Sequence, residues 1–352
     1  MNITSTKNLL LKSRVGRALS GAAAIGSVAA VVAASSVMPT AAAPTPGTLV
    51  ANGVTSPTGI LWLPGNLGGH FWVADHAQGL CRIDGTPGSA ALTNCDLTAK
   101  SVGQPAYDPN SHSVYVPDNS ARSQGVWRLT FDPVTETMGG GGGGGVFGGG
   151  SSTAPVLLAP NKGLGGNRPF AVATDPNDNY ALYIGFRKTP NILRIRNASV
   201  GTGDAPVNIG NSADGKQVRA MTMLSHVTAP GVATSALLAM DGNGIGVISN
   251  PAACAGACQA SIPGSLANLL PLGVGSDNNV RPAGEASVAY IPDTTGALYQ
   301  WDAVHDTLTT LSTGLSFPTA AGFRASPAPN IYVGDDPSQG NLIAQGHIYS
   351  IP

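Results

Sequence analysis

The sequence predicts an all-β fold: a six-bladed β-propeller of four-stranded antiparallel blades, with its ring closed by an N-terminal strand. Two observations carry this. One phrase recurs about six times along the 352 residues, and the last copy ends one strand short while the first begins one strand early. The phrase is an opening X-Pro or X-Ala, an apolar stretch, a β-rich run ending in a polar turn, then Gly and a second β-rich run. Self-similarity over tens of residues marks a repeat architecture, and four short strands per unit mark a propeller blade.

The openings are Ser56-Pro57, Gln104-Pro105, Arg168-Pro169, Arg219-Ala220, Arg281-Pro282 and Phe317-Pro318. The second strands centre on Phe71 to Asp75, Val114 to Asp118, Leu182 to Gly185, Leu237 to Asp241, Val288 to Asp293 and Ile331 to Asp335. Third strands follow, such as Leu80 to Ile83, Val126 to Leu129 and Ile348 to Ile351. A fourth strand leads into the next repeat, as Thr307 to Leu315 does before Phe317-Pro318. The sixth repeat has no fourth strand before Pro352, whereas Thr48 to Val54 precedes Ser56-Pro57 in the same way. Closing the ring with that segment removes strand edges that could pair with other chains. The openings are unevenly spaced, and the fifth repeat has a shortened first strand, so five or seven blades stay open at this point.

Residues 1–43 read as a secretory signal and 44–352 as a single propeller domain. Lys7, Lys12, Arg14 and Arg17 form a basic start, an Ala/Val-rich run follows, and Ala41-Ala42-Ala43 supplies small residues for cleavage. Without that segment, 14 of the 18 basic side chains face 19 acidic ones, a net charge near −5. This argues against nucleic acid as a partner. No membrane span is expected in the mature chain, and a monomer is expected, either periplasmic or extracellular. Cys81 and Cys95 sit on expected neighbouring strands of the first blade, and Cys254 and Cys258 share one loop, so both pairs read as disulfides in an oxidising compartment.

Two excursions are expected between third and fourth strands. Residues 138–155 include the runs Gly139 to Gly145 and Gly148 to Gly150, whose ordering costs much backbone entropy, so a flexible loop is expected. The other, 250–268, carries Cys254 and Cys258 and a short helical turn near Ser265 to Leu270. Together they form a candidate partner surface.

The unit running from Pro57 to Asp84, with Phe71-Trp72-Val73-Ala74-Asp75, Gly79 and Arg82-Ile83-Asp84, resembles an NHL-type propeller repeat. It is also similar to gluconolactonase-like and strictosidine-synthase-like propellers, and the resemblance spans about residues 47–351. The lactonase-like branch implies a divalent cation near the axis, held by a Glu from the first strand of the first blade. The matching positions here are Ser56, Thr58 and Gly59, none a strong ligand. The resemblance therefore implies no resident cofactor, with calcium entering only under an enzyme alternative. The recurring Asp75, Asp118, Asp241, Asp293 and Asp335 suit turns, where a carboxylate accepts local N–H groups.

Three consecutive openings carry Arg: Arg168, Arg219 and Arg281, with Glu285 four residues beyond the last. At equivalent places in adjacent blades they would gather at one channel mouth, where guanidiniums bind carboxylates or phosphates through paired hydrogen bonds. The alternative is that they tie blades together through carbonyls and carboxylates such as Asp241 and Glu285. His70 and His76 flank a strand without metal-site company and read as surface residues, and no G-x-S-x-G elbow is present. The expected function is a secreted binding or scaffold protein that contacts a small anionic ligand or another secreted protein at the mouth. The alternative is a propeller hydrolase or lyase of the lactonase- or strictosidine-synthase-like kind acting on a small molecule in the channel.

Overall fold

The computed structural model describes residues 47–97, 101–120, 125–139, 155–158, 167–225, 234–242, 244–277, 287–324, 329–338 and 346–352. Residues 1–43, expected to be a signal, the glycine-rich residues 140–150, Arg281 and Glu285 lie outside them.

The described strands form six sheets that make the six blades of a propeller. Blade 1 runs outward from the axis as Pro57–Leu63, His70–Asp75, Gly79–Asp84 and Ala91–Asp96. Blade 6 runs Pro318–Arg324, Asn330–Asp335 and Gly346–Ile351, and its outermost strand is the N-terminal Thr48–Val54. That strand pairs antiparallel with the last one, Thr48 opposite Ser350 and Val54 opposite Gly346, which seals the ring as the sequence predicts.

The strands are apolar on both faces because each blade packs between two neighbours. The hydrophobic core accordingly falls into six clusters, one in each gap between blades. Between blades 1 and 2, Trp72 meets Tyr107, Leu129 and Phe131; between blades 6 and 1, Phe71 lies with Val50, Val54 and Ile348.

Backbone register corrects two expected openings. Asp118 of blade 2 faces Val102, not Pro105, so blade 2 opens at Ser101-Val102. Blade 5 begins its inner strand before Gly275–Ser276, where Pro271 faces Asp293, so its opening is Leu270-Pro271 rather than Arg281-Pro282. In blade 2 the X-Pro pair just downstream matches the phrase better than Ser101-Val102 does, whereas in blade 5 two X-Pro pairs compete and the register selects the upstream one. Arg281 and Glu285 thus follow the inner strand of blade 5 in sequence instead of leading into it.

The excursions also differ from expectation. Thr137–Gly139 and Val156–Leu157 both pair with the third strand of blade 2, Gly125–Asp132, so the glycine-rich insertion interrupts the fourth-strand position rather than preceding it. Of residues 250–268, Cys258–Gln259 adds in parallel to Val207–Asn211, the outer strand of blade 3. Ser261 then returns to pair with Val247 in blade 4. Gly210 permits this, since a Cβ there would sit 1.9 Å from the Cys258 carbonyl oxygen. The loop therefore straps two blades together, with Cys254 buried in the core between them. Its short turn is a 3-10 helix at Gly264–Leu266. Both disulfides form, Cys81–Cys95 across neighbouring strands and Cys254–Cys258 within the strap.

Candidate functional site

Strands alternate in direction, so the connections into each inner strand and those after each second strand emerge at one end of the ring. The recurring Asp fixes these connections. Asp75 accepts from Ala77 N (2.9 Å) and Gln78 N (3.1 Å) in its own turn, and from Thr55 N (2.5 Å) and Ser56 N (3.0 Å) of the entering chain. Asp335 does the same for Ser316 and Phe317, and Asp293 for Leu270. The expected turn role holds and extends further, because one buried carboxylate caps two connections at once and satisfies N–H groups that face the mouth.

Hydroxyl groups on the inner strands tie blade to blade. Thr319 Oγ1 donates to Pro57 O (2.7 Å), Thr174 Oγ1 to Tyr107 O (2.8 Å) and Thr222 Oγ1 to Ser276 Oγ (2.7 Å). Gln104 goes further. Its backbone pairs with blade 3, donating to Phe170 O (2.9 Å) and accepting from Val172 N (3.1 Å). That approach requires Gly103, where a Cβ would lie 1.9 Å from Phe170 O. The Gln104 side chain then crosses the axis, accepting from Met221 N of blade 4 (2.8 Å) and donating to Val274 O beside blade 5 (2.6 Å). Its amide makes one hydrogen bond at each end in a buried setting, so neither the oxygen nor the nitrogen is left without a partner.

Two spaces lie along the inner strands. The inner one, lined by Gln104, Thr174, Thr222 and Ser276, has a volume of about 60 Å³, room for a few waters. The other is a cavity of about 510 Å³ at the mouth, within the size range of small-molecule sites. Ser56, Thr58, His76, Phe170, Arg187, Arg219 and Phe317 line it, and none of its lining residues is Asp or Glu.

Arg219 is exposed there, and its guanidinium is held by an amide rather than a carboxylate. In the orientation that satisfies both neighbours, Gln217 Oε1 accepts from Arg219 Nη2 (2.9 Å) and Nε (3.0 Å) while its Nε2 donates to Arg187 O (3.2 Å). Arg187 is also exposed and lies over the Phe170 ring, 5.6 Å from its centroid. His76 is half-buried; its Nδ1 meets Val102 O (3.2 Å) and its Nε2 meets Ser101 Oγ (2.7 Å). Arg168 is half-buried beside this group, its carbonyl accepting from Arg187 N (3.0 Å), and its side chain is not part of the lining.

Of the four residues named from sequence, the structure places Arg219 on the mouth cavity and Arg168 next to it, with Arg281 and Glu285 outside the described residues. Sequence reasoning missed Arg187, Gln217 and Phe170, and placed His76 at the surface, able to approach the mouth or the rim. One signal was available: blade 3 is the repeat whose second strand does not close on Asp, and Phe186-Arg187 stand in that place.

His70, expected at the surface, belongs to a different cluster at the opposite end of the ring. Glu136, from the turn after the third strand of blade 2, reaches into the first hairpin of blade 1. Its side chain is fully buried and accepts from Leu67 N (2.7 Å) and Gly69 N (2.9 Å), and from His70 Nδ1. His70 Nε2 lies 3.4 Å from Asp84, which Arg82 Nε contacts at 2.8 Å.

The described axial residues do not fit a resident divalent cation. They offer an amide already bonded at both ends, hydroxyls and Met sulfur, with no carboxylate lining either space, whereas hard cations take carboxylate and carbonyl oxygens. Among the described residues, no three His, Cys, Asp or Glu side chains come together as an ion-holding group.

Fold comparison agrees with this architecture. The chain is similar to regucalcin, a calcium-binding protein from Agrobacterium tumefaciens str. C58, at 13% identity over 88% of this chain and 94% of that one, with a TM-score of 0.56. It is similar to an auxiliary nutrient binding protein from Bacteroides thetaiotaomicron VPI-5482, at 8% identity over 87% and 76% of the two chains, with a TM-score of 0.56. It is also similar to a luciferin-regenerating enzyme, at 12% identity over 85% and 92%, with a TM-score of 0.51. No family model matches the chain, and no curated protein matches it. Repeat, blade count and fold neighbours together define a six-bladed β-propeller. At these identities the likeness carries the fold alone.

Proposed function

We propose that this propeller is a secreted binding protein that takes a small anion at its mouth. One observation carries the reading: Arg187 and Arg219 present exposed guanidiniums to a cavity of about 510 Å³ with no Asp or Glu in its lining. Neither has a carboxylate partner among the described residues. A guanidinium held by a neutral amide keeps its whole charge and a fixed direction, as an anion site requires. Fold neighbours include both a nutrient binding protein and an enzyme, so the fold does not choose between them. The charge pattern of the mouth favours binding. Two disulfides support an oxidising compartment, periplasmic or extracellular, and among the described residues no helix is long and apolar enough to cross a membrane.

Calorimetric titration of the protein with small carboxylates and phosphates tests this reading. Saturable one-to-one binding that weakens with salt and is strongly weakened in Arg219→Gln is expected. Binding that Arg219→Gln leaves unchanged would place the ligand elsewhere.

A further inference from the structure

We infer that the mouth ligand is an aromatic carboxylate: a flat apolar body with one anionic group. This rests on the anion-binding reading and narrows it. The cationic groups occupy only part of the cavity. Phe170 and Phe317 line it as half-buried rings, with Leu272 also half-buried and Met240 fully buried. Apolar walls of this kind are left wet by an acetate or an inorganic phosphate, and a ligand that covers them gains from removing that surface from water.

The arrangement also separates the two functions in space. Gln217 spends its amide on orienting Arg219, which leaves Nη1 of that guanidinium free to meet a carboxylate. Arg187 lies over Phe170, so one charged and one aromatic group already form a single layered wall. A ring placed beside that wall meets aromatic carbon and guanidinium plane together, a combination that favours π-systems over saturated ones. Ser56 and Thr58 add hydroxyls at the blade 1 side of the same cavity.

The test uses the full mature chain and a matched series: acetate, inorganic phosphate, cyclohexanecarboxylate, benzoate, phenylacetate, phenyl phosphate and uncharged benzyl alcohol. Benzoate or phenylacetate is expected to bind at least tenfold more tightly than acetate, phosphate and cyclohexanecarboxylate, with benzyl alcohol at least tenfold weaker. Phe317→Leu should cost the aromatic acids about tenfold and leave acetate unmoved, whereas Arg219→Gln should weaken the response to every anion by about tenfold to a hundredfold. Phe170→Leu is the second aromatic variant, and an unchanged unfolding midpoint in each shows that the ring is intact. Acetate or phosphate binding as well as benzoate overturns the aromatic inference and leaves the anion site standing. Phenyl phosphate exceeding both aromatic acids overturns the carboxylate assignment. Benzyl alcohol matching phenylacetate, or no binding across the series, overturns both readings.

Discussion

The two ends of this ring treat charge in opposite ways. At the mouth, Arg219 is held by the Gln217 amide and Arg187 lies on a phenyl ring, both exposed and without carboxylates. At the other end, cations are matched. Glu136 and Asp84 bracket His70 and Arg82 between blades 1 and 2, and Asp178 lies 3.5 Å from Arg194 and 3.8 Å from Arg196 in blade 3. Arg194 also donates to Ala252 O (2.5 Å) in the disulfide strap. A cation paired with a buried carboxylate is consumed by the fold. A cation steadied by a neutral amide is oriented and still available, so the second kind marks a site more reliably than a count of arginines does.

If this contrast is right, the largest loss of stability comes from the matched end. Glu136→Ala would remove the buried acceptor of two backbone N–H groups and of the His70 imidazole, in a hairpin that is itself partly exposed. A cost of about 1–3 kcal/mol is expected, the penalty of leaving hydrogen-bonding groups without their partner, read as a lower denaturant midpoint with unchanged slope. A loss below about 1 kcal/mol would show that water reaches the cluster and that the two ends do not differ as described.

Arg219→Gln should behave in the reverse way. Anion affinity is expected to fall about tenfold to a hundredfold, the range for losing one charged hydrogen-bonding partner. The unfolding midpoint should stay within about 0.5 kcal/mol, as for an exposed substitution. A fall in stability comparable with that of Glu136→Ala would move Arg219 to the blade-tying role that the sequence also allowed.

The repeat, the all-β class and the N-terminal seal were legible because each rests on local pattern: apolar runs, turn residues and an offset between the two ends. Register was less legible. Gln104-Pro105 and Arg281-Pro282 carry the opening dipeptide, yet the hydrogen bonds select Ser101-Val102 and Leu270-Pro271. Strand register is fixed by partners dozens of residues away, which a dipeptide does not report. The same gap explains the site. Arg219 was visible as an opening residue, but its orientation by Gln217, the shift of Gln104 across the axis and the convergence of Arg187 with Phe170 depend on neighbouring blades. The pairing of the strap was out of reach for a related reason: it needs Gly210, on another blade, to make room for Cys258.

A smaller effect tests what holds the inner strands, if not arginines. Thr319→Val removes the hydroxyl that links blade 6 to Pro57 O of blade 1, at the junction next to the ring seal. The shape is kept, so the expected cost is about 1 kcal/mol, the net worth of one hydrogen bond, seen in chemical unfolding. No change would mean that the six interblade clusters alone hold that junction.

The smallest effect lies in pH dependence at the matched end. Asp175 is buried between blades 3 and 4; its Oδ1 accepts from Ser235 Oγ (2.5 Å) and Asn177 N (2.9 Å), while Oδ2 has no partner. Burial pushes its carboxyl above the ordinary 3.8, opposed by the Ser235 and Asn177 hydrogen bonds and aided by nearby Asp178. The folded state therefore holds this proton more tightly than the unfolded chain does. Stability from this group is full below the ordinary value, then falls as pH rises from there until the folded form also ionises. Asp175→Asn keeps the Oδ1 acceptor and removes the titration. Its stability relative to the parent should therefore rise with pH across that interval and then level off. A difference that is flat with pH would mean Asp175 ionises as easily inside the ring as outside it, which would make this carboxylate another fully compensated partner of the matched end.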